Sequence, residues 1–357
     1  MSELVRAALV TIVDGGSLSS DEARAAMGDV MDGEATPAQL SALLMGLRMR
    51  GETVDELVGF AAAMRDRVVK VEAPDGAIDV VGTGGDGSGT FNISTTAALV
   101  AAAAGIPVAK HGNRAITSKS GSADVLDALG VRIDHDADSA GASLRSTGFA
   151  FLFAPVFHPA MRHAGPTRRE IGVRTAFNLL GPLTNPAGTG RGVIGVGVPE
   201  VAEKVAEVAR RLGTERTFVI HGAGVDELPL DGTGVIHDVT QDGIESRTIS
   251  PERLGLRSAP TARLAGAGPA ENARMVEAVL RGEPGVRRDV TVLNAAAAFL
   301  VAGRVESLEE GVDRAALTID AGLALELLGA LRAERVAADK AAAEDAAAPD
   351  ATGSAVP

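Results

Sequence analysis

The chain contains no cysteine, no tryptophan and no tyrosine; nine phenylalanines are its only aromatic residues of the Phe/Trp/Tyr type. Without thiols there are no disulfides, no thiolate metal sites and no cysteine nucleophile. Any metal must be held by oxygen or imidazole. With so few rings, the interior has to be packed from Ala, Val, Leu and Ile. Basic blocks are missing as well. The formal net charge is -13, and no Lys/Arg run offers the face that displaces counterions from a nucleic acid. Long apolar runs are absent: the longest, around 97–104, is too short to span a bilayer, and the opening MSELVRAALVTIVDGG is too polar for a signal peptide. No GxSxG elbow is found. These absences leave a globular protein expected in the cytoplasm, with no nucleic acid and no membrane among its partners.

At 357 residues, 46 % of them apolar, there is room for one large domain and a smaller one. Residues 1–72 read as helices. Leu4 and Ala8, then Val5, Leu9 and Ile12, recur at helical spacing, and Ser19 or Ser20, Thr36-Pro37 and Thr53 mark helix starts. Such apolar stripes serve a core of their own or a contact between copies. From Ile78 the texture changes to short apolar runs alternating with helical stretches. Strands are expected at 78–81, 107–110, 131–133, 149–153, 191–197 and 217–220. This alternation predicts an α/β domain over 73–335 with a mainly parallel central sheet covered by helices. The Arg-, Pro- and Asn-rich stretch 155–186 interrupts it with helices and loops, and part of 160–190 is expected to join the N-terminal unit. The Ala/Asp/Glu-rich residues 336–357 read as a disordered tail.

Four segments carry the chemistry. The first is Asp79-Val80-Val81-Gly82-Thr83-Gly84-Gly85-Asp86-Gly87-Ser88-Gly89-Thr90-Phe91-Asn92-Ile93-Ser94-Thr95-Thr96, a strand end, a glycine loop and a helix start. Such a loop exposes backbone N–H groups to an anion, and the helix dipole adds to them. It ends in no Gly-Lys-Ser/Thr, and no acid on a second strand completes a dinucleotide fingerprint. The second segment is Lys110-His111-Gly112-Asn113-Arg114-Ala115-Ile116-Thr117-Ser118-Lys119-Ser120-Gly121-Ser122, where cations alternate with hydroxyls as a pyrophosphate would require. The third is Asp226-Glu227, just past a strand: solvent decoration if read alone, natural Mg²⁺ ligands beside a phosphate site. The fourth runs from His158 through Arg168-Arg169-Glu170 to Phe177-Asn178-Leu179-Leu180-Gly181-Pro182-Leu183-Thr184-Asn185-Pro186. Arg168 or Arg169 could clamp a carboxylate, the other pairing with Glu170.

Together these segments resemble the anthranilate phosphoribosyltransferases, over roughly residues 1–330. Gly82–Asp86 is similar to their GTGGD loop, Asn92–Thr95 to NIST, Lys110–Asn113 to KHGN, and Arg168–Pro186 to RRE…RT.FNLLGPLTNP, the most specific of the set. A weaker likeness, Lys…Ser…Gly-Ser-Ala-Asp-Val-Leu, is shared with pyrimidine nucleoside phosphorylases of the same fold. The resemblance implies the nucleoside phosphorylase/phosphoribosyltransferase class of fold, and transfer of a phosphoribosyl group to the amine of anthranilate. It implies donor contacts at Gly82, Gly85, Asp86, Thr90, Asn92, Ile93, Ser94, Thr95, Lys110, His111, Gly112, Asn113, Arg114, Ala115, Ile116, Thr117, Ser118 and Ser122. Lys110 and Asn113 would act electrostatically, with no nucleophile. Gly82, Asn113, Arg168, His111, Pro155, His158 and Gly181 would meet anthranilate, Ser94, Asp226 and Glu227 would hold two Mg²⁺ ions, and a homodimer would form through the N-terminal helices. Ser122 stands where the family often has Ala, and Met161 where some members have an aromatic residue.

Overall fold

The computed structural model describes residues 1–115 and 118–347. Four helices open the chain: α1 (Glu3–Val13), α2 (Ser20–Met31), α3 (Pro37–Arg50) and α4 (Val54–Arg65). Their N-caps are Ser2, Ser19, Thr36 and Thr53. Glu22, Gln39 and Glu56 close capping boxes on the last three, so orphan N–H groups at the helix starts are satisfied locally. Glu56 is fully buried, and also accepts from the Leu18 N–H at 3.0 Å and pairs with Arg50.

The second unit is a seven-stranded sheet. Its strands are β1 (Ile78–Gly82), β2 (Val108–Gly112), β3 (Phe149–Phe153), β4 (Arg191–Gly195), β5 (Arg216–Gly222), β6 (Gly234–Val239) and β7 (Ile244–Ile249), in the order β3-β2-β1-β4-β5-β6-β7. The first five in that order run parallel. Helix α5 (Ile93–Ala103) carries the chain from β1 to β2, whereas β4 lies on the other side of β1, so the sheet changes its winding direction between β1 and β4. Ligands of open α/β sheets bind outside the strand C-termini at such a switch point.

Side chains alternate across the sheet as the period-2 pleat demands. Ile78, Val80, Val193, Phe218 and Ile220 enter one core with α5 and the helix Val286–Val301. Ile194, Val196 and Val219 enter another, together with Leu40, Leu44, Phe60 and the residues Ala164, Ala176, Phe177 and Leu180 of the irregular stretch. The helical bundle and that stretch thus pack on one face of the sheet.

Two expectations are corrected, and one hairpin is added. Val131 and Ile133 are buried but form no strand; the Val131 N–H is taken by the Leu126 carbonyl at the end of a helix, 2.9 Å away. The β6–β7 hairpin, which pairs antiparallel to β5, was not expected. Disorder from 336 fails over 336–347, because the last helix runs Leu323–Ala347. Alanine has the highest helix propensity, and Arg335–Asp339 and Lys340–Glu344 pair at i,i+4. Among the described residues, no helix is long and apolar enough to cross a membrane.

Candidate active site

β1 ends at Gly82, and the loop that follows turns through Gly84, Gly85, Gly87 and Gly89 with φ of 62°, 66°, 76° and 62°. That left-handed region is open to glycine at little cost. The loop folds onto the acids that follow β5. Gly84 N donates to Asp226 Oδ2 at 2.8 Å, Asp226 N to Asp86 Oδ2 at 3.3 Å, and Ser94 N to Glu227 Oε1 at 3.0 Å. Ser94, Asp226 and Glu227 therefore meet at the start of α5. Missing side chains make this possible. Gly82 and Gly195 are register partners on β1 and β4, and a Cβ on either would run into Asp226. One on Gly197 would lie 2.7 Å from Asp86 Cβ.

Burial pushes the Asp226 carboxyl up to about 7, with the negative charge of Asp86 adding to it. Burial first, and Asp226 second, push Glu227 well above the ordinary carboxylate range. Buried acids that repel each other favour a cation between them. Among the described residues, no three His, Asp or Glu side chains are gathered in metal-binding geometry. Two carboxylates, with the remaining positions left to ligand oxygens and water, fit Mg²⁺.

Lys110 leaves β2 beneath this loop. It is 1 % exposed, and its Nζ donates to the Val80 carbonyl at 2.5 Å. Burial lowers its pKa, while Asp79, Glu227 and Asp226 oppose that. Lys110 is thus the buried counter-charge of the acids rather than a residue on the open face of the loop. Asp79 is equally buried and is held by three groups. His111 N reaches Oδ1 at 3.2 Å, Asn185 Nδ2 reaches Oδ2 at 2.7 Å, and Lys110 supplies charge. Burial still raises Asp79 to about 6.

The basic loop is organised by Asp124, which accepts from Ala115 N at 2.8 Å and Gly121 N at 2.9 Å. Arg114 is paired to Asp124 and Asp127 at 2.9 and 3.2 Å, so its side chain is engaged within the loop. Asn113 and Ser118 are exposed. Ser122 Oγ donates to the Asn113 carbonyl at 3.4 Å, and a Cβ on Gly112 would crowd Ser122 and Phe151. Asn92 ties the two loops together: its Nδ2 donates to the Ser120 carbonyl at 3.2 Å, and its Oδ1 accepts from Asn272 at 2.9 Å. Thr90 bridges to Ala265, while Ile93 and Thr95 turn into the core. Ile116 and Thr117 lie outside the described residues.

The 155–186 stretch forms the other wall. His111 Nδ1 lies 3.1 Å from the Gly181 carbonyl, and its ring is 5.0 Å from that of His158. Burial holds both rings neutral, down at about 3 and about 4, and the Nε2 atom of each is buried without a partner. The Arg168 guanidinium rests 4.8 Å above the Phe177 ring, and burial lowers its pKa. Among the described residues neither Arg168 nor Arg169 forms a salt bridge, so the expected Glu170 pair is not made. Pro155, at the end of β3, is exposed, and Met161 packs partly buried against the helical-bundle core.

Residues 74–325 match the glycosyl transferase family a/b domain, and residues 6–68 that family's helical bundle domain. The chain is 50 % identical to the anthranilate phosphoribosyltransferase of Azorhizobium caulinodans, over 92 % of this chain and 96 % of the relative. This chain belongs to the anthranilate phosphoribosyltransferase family. The crystal structure of the Thermus thermophilus member superposes with a TM-score of 0.87 at 45 % identity, covering 92 % of this chain and 99 % of that one. The Saccharomyces cerevisiae enzyme in complex with PRPP and Mg superposes at 0.86 with 28 % identity, covering 94 % and 99 %. In complex with 4-fluoroanthranilate it superposes at 0.84 with 26 % identity, covering 93 % and 98 %.

Several residues that shape this phosphoribosyltransferase site were not singled out from the sequence. Asp79 read as part of a strand. Asn185 read as one letter of a signature, yet its amide also donates to the Ala109 carbonyl at 2.8 Å, so it ties the 155–186 stretch to β1 and β2. Asn272 sits on the helix Pro269–Leu280 with no motif to announce it. Gly195 and Gly197 were visible as strand glycines, the usual sign of close backbone approach.

Proposed function

We infer that the chain transfers the phosphoribosyl group of 5-phosphoribosyl 1-pyrophosphate to the amine of anthranilate. The products are N-(5-phosphoribosyl)anthranilate and pyrophosphate, and the step belongs to tryptophan biosynthesis. The observation that carries this reading is the meeting of the glycine loop with buried Asp226 and Glu227 at the switch point, facing a wall of neutral imidazoles.

The amine nitrogen bonds to C1 of the ribose as the C1–O bond to pyrophosphate breaks, and the nitrogen then gives up a proton to solvent. Positive charge develops at C1 and negative charge on the leaving group. The chain answers mainly by positioning and electrostatics. The glycine loop and the hydroxyls and amide of Thr90, Asn92, Ser94 and Ser118 hold the donor. Lys110 sets the potential from below, and Asn113 lies between the two substrates. Arg168, presented on Phe177, takes the anthranilate carboxylate. His111 and His158 stay neutral, so they neither repel the developing charge nor protonate the amine. Two Mg²⁺ ions bound through Ser94, Asp226 and Glu227 would neutralise the pyrophosphate.

A homodimer through the N-terminal helices is supported by exposed Leu4, Val10, Val13 and Met49 on α1 and α3. The cytoplasm is the proposed location. The deciding experiment follows anthranilate fluorescence. Its loss on adding donor and Mg²⁺ is expected. Base release from thymidine and phosphate, with anthranilate untouched, would overturn the reading.

A further inference from the structure

One cation of the site has been given no part in the reaction. Arg174 follows the helix Gly165–Ile171 that carries Arg168, and its half-buried side chain crosses from that stretch to the glycine loop. There Nη1 donates to the Gly84 carbonyl, and the guanidinium lies so close to Gly85 that a Cβ there would collide with it. Gly84 is also the residue whose N–H is held by Asp226. The two peptide groups that flank Gly84 are thus both held, the N–H of the first by an acid of the β5 loop and the carbonyl of the second by a cation of the 155–186 stretch. Burial lowers the Arg174 pKa; the negative charges of Asp226 and Asp86 oppose that, and the exposed Arg48 on α3 adds to it. Among the described residues Arg174 forms no salt bridge, so the acids attract it without binding it directly.

We propose that Arg174 is a positioning residue, a strap that holds the glycine loop to the acceptor-side stretch and faces Asp86 and Asp226 until a divalent cation replaces it. This rests on the reading of Asp226 as a metal ligand. Arg174 and the incoming metal then compete for the field of the same carboxylates. The arrival of the metal-bound donor loosens the strap, so the loop and the stretch bearing Arg168 move as one piece before donor binding and separately after it.

Two measurements on the full-length protein test this. The first is hydrogen exchange of peptides covering 83–90, in EDTA and without substrate. Arg174→Gln should speed exchange several-fold and Arg174→Lys should fall between it and the parent, whereas Arg48→Gln should not change it. Unchanged exchange in Arg174→Gln overturns the strap. If that variant folds poorly, as judged by circular dichroism, Arg174→Lys carries the same test, because a lysine keeps the charge but loses the guanidinium fork. The second is Mn²⁺ binding with inorganic pyrophosphate, read by electron paramagnetic resonance. Arg174→Gln should bind several-fold more tightly, since its competitor is gone; equal or weaker binding overturns the competition. Asp226→Asn separates the two ideas. Mn²⁺ binding unaffected by Asp226→Asn removes the metal reading, while the exchange result still decides the strap.

Discussion

The two walls of the site are made of opposite materials. The wall proposed to take the donor is backbone and buried charge: glycines with positive φ, Asp226 and Glu227 with pKa values raised by burial, and Lys110 sealed beneath them. The wall proposed to take anthranilate is side chains with their charge removed or softened: two imidazoles held neutral and one desolvated guanidinium laid on a phenyl ring. Each material suits its substrate. A polyanionic donor needs cations and N–H groups to gather around it. An aromatic amine needs its lone pair left alone. The lesson is that the chain separates the two tasks by dielectric and by element, placing strand-end loops on one side and an interrupted helical stretch on the other.

Breaking the donor wall should have the largest effect. Asp226→Asn combined with Glu227→Gln should lower turnover by at least about a thousandfold, with circular dichroism unchanged. Activity retained at ordinary Mg²⁺ would place the metal elsewhere. Next is the acceptor wall. Arg168→Ala should raise the KM for anthranilate by roughly 10- to 100-fold, the worth of a charge-assisted hydrogen bond pair, and leave the KM for the donor within about twofold. Equal losses for both substrates would erase the division between walls. Asn185 lies beneath both. Asn185→Ala leaves a buried Asp79 oxygen and the Ala109 carbonyl without their donor, so it should cost about 2 kcal/mol in urea unfolding and affect both substrates alike.

The smallest effect concerns pH. His111 and His158 ionise at about 3 and about 4 in the folded protein against 6.5 in the free side chain. Below 6.5 the unfolded chain therefore binds more protons than the folded one, and stability is lost as pH falls. The contribution of each is complete above 6.5 and declines by no more than about 1.4 kcal/mol per pH unit below it. His158→Asn should flatten the slope of unfolding free energy between pH 6.5 and 5. The profile of kcat/KM for anthranilate should show no histidine inflection between pH 6 and 8. An inflection removed by His158→Asn would mean that the acceptor wall does carry a titrating charge.

Much of this is legible in the sequence. Helix starts were visible because Ser or Thr stands just before each of α2, α3 and α4, followed by Pro37 in α3. The glycine loop, the acids and the parallel strands were visible because short apolar runs and loop chemistry are local signals. Two things were not local. Val131–Ile133 has the composition of a strand, but β3 already occupies the place beside β2, so its apolar residues fill the core without pairing. The functions of Asp79 and Arg174 depend on partners from segments remote in the chain, Asn185 and Gly84, and no spacing encodes them. The hairpin does carry a local signal, Asp242-Gly243 between its two strands.

The facing glycines on β1 and β4 have a consequence for how this protein can vary. Gly82 and Gly195 leave a slot one atom too narrow for any other residue, and Asp226 occupies it from both directions. Most core positions can drift through intermediate sizes, each a little worse than the last. Here the smallest possible change, a single methyl group, already competes with the Asp226 carboxylate at 82 and with the Asp226 main-chain carbonyl at 195. Variation at this point is a step and not a slope, so a library randomised at 82 and 195 should return two classes of variant with nothing between them.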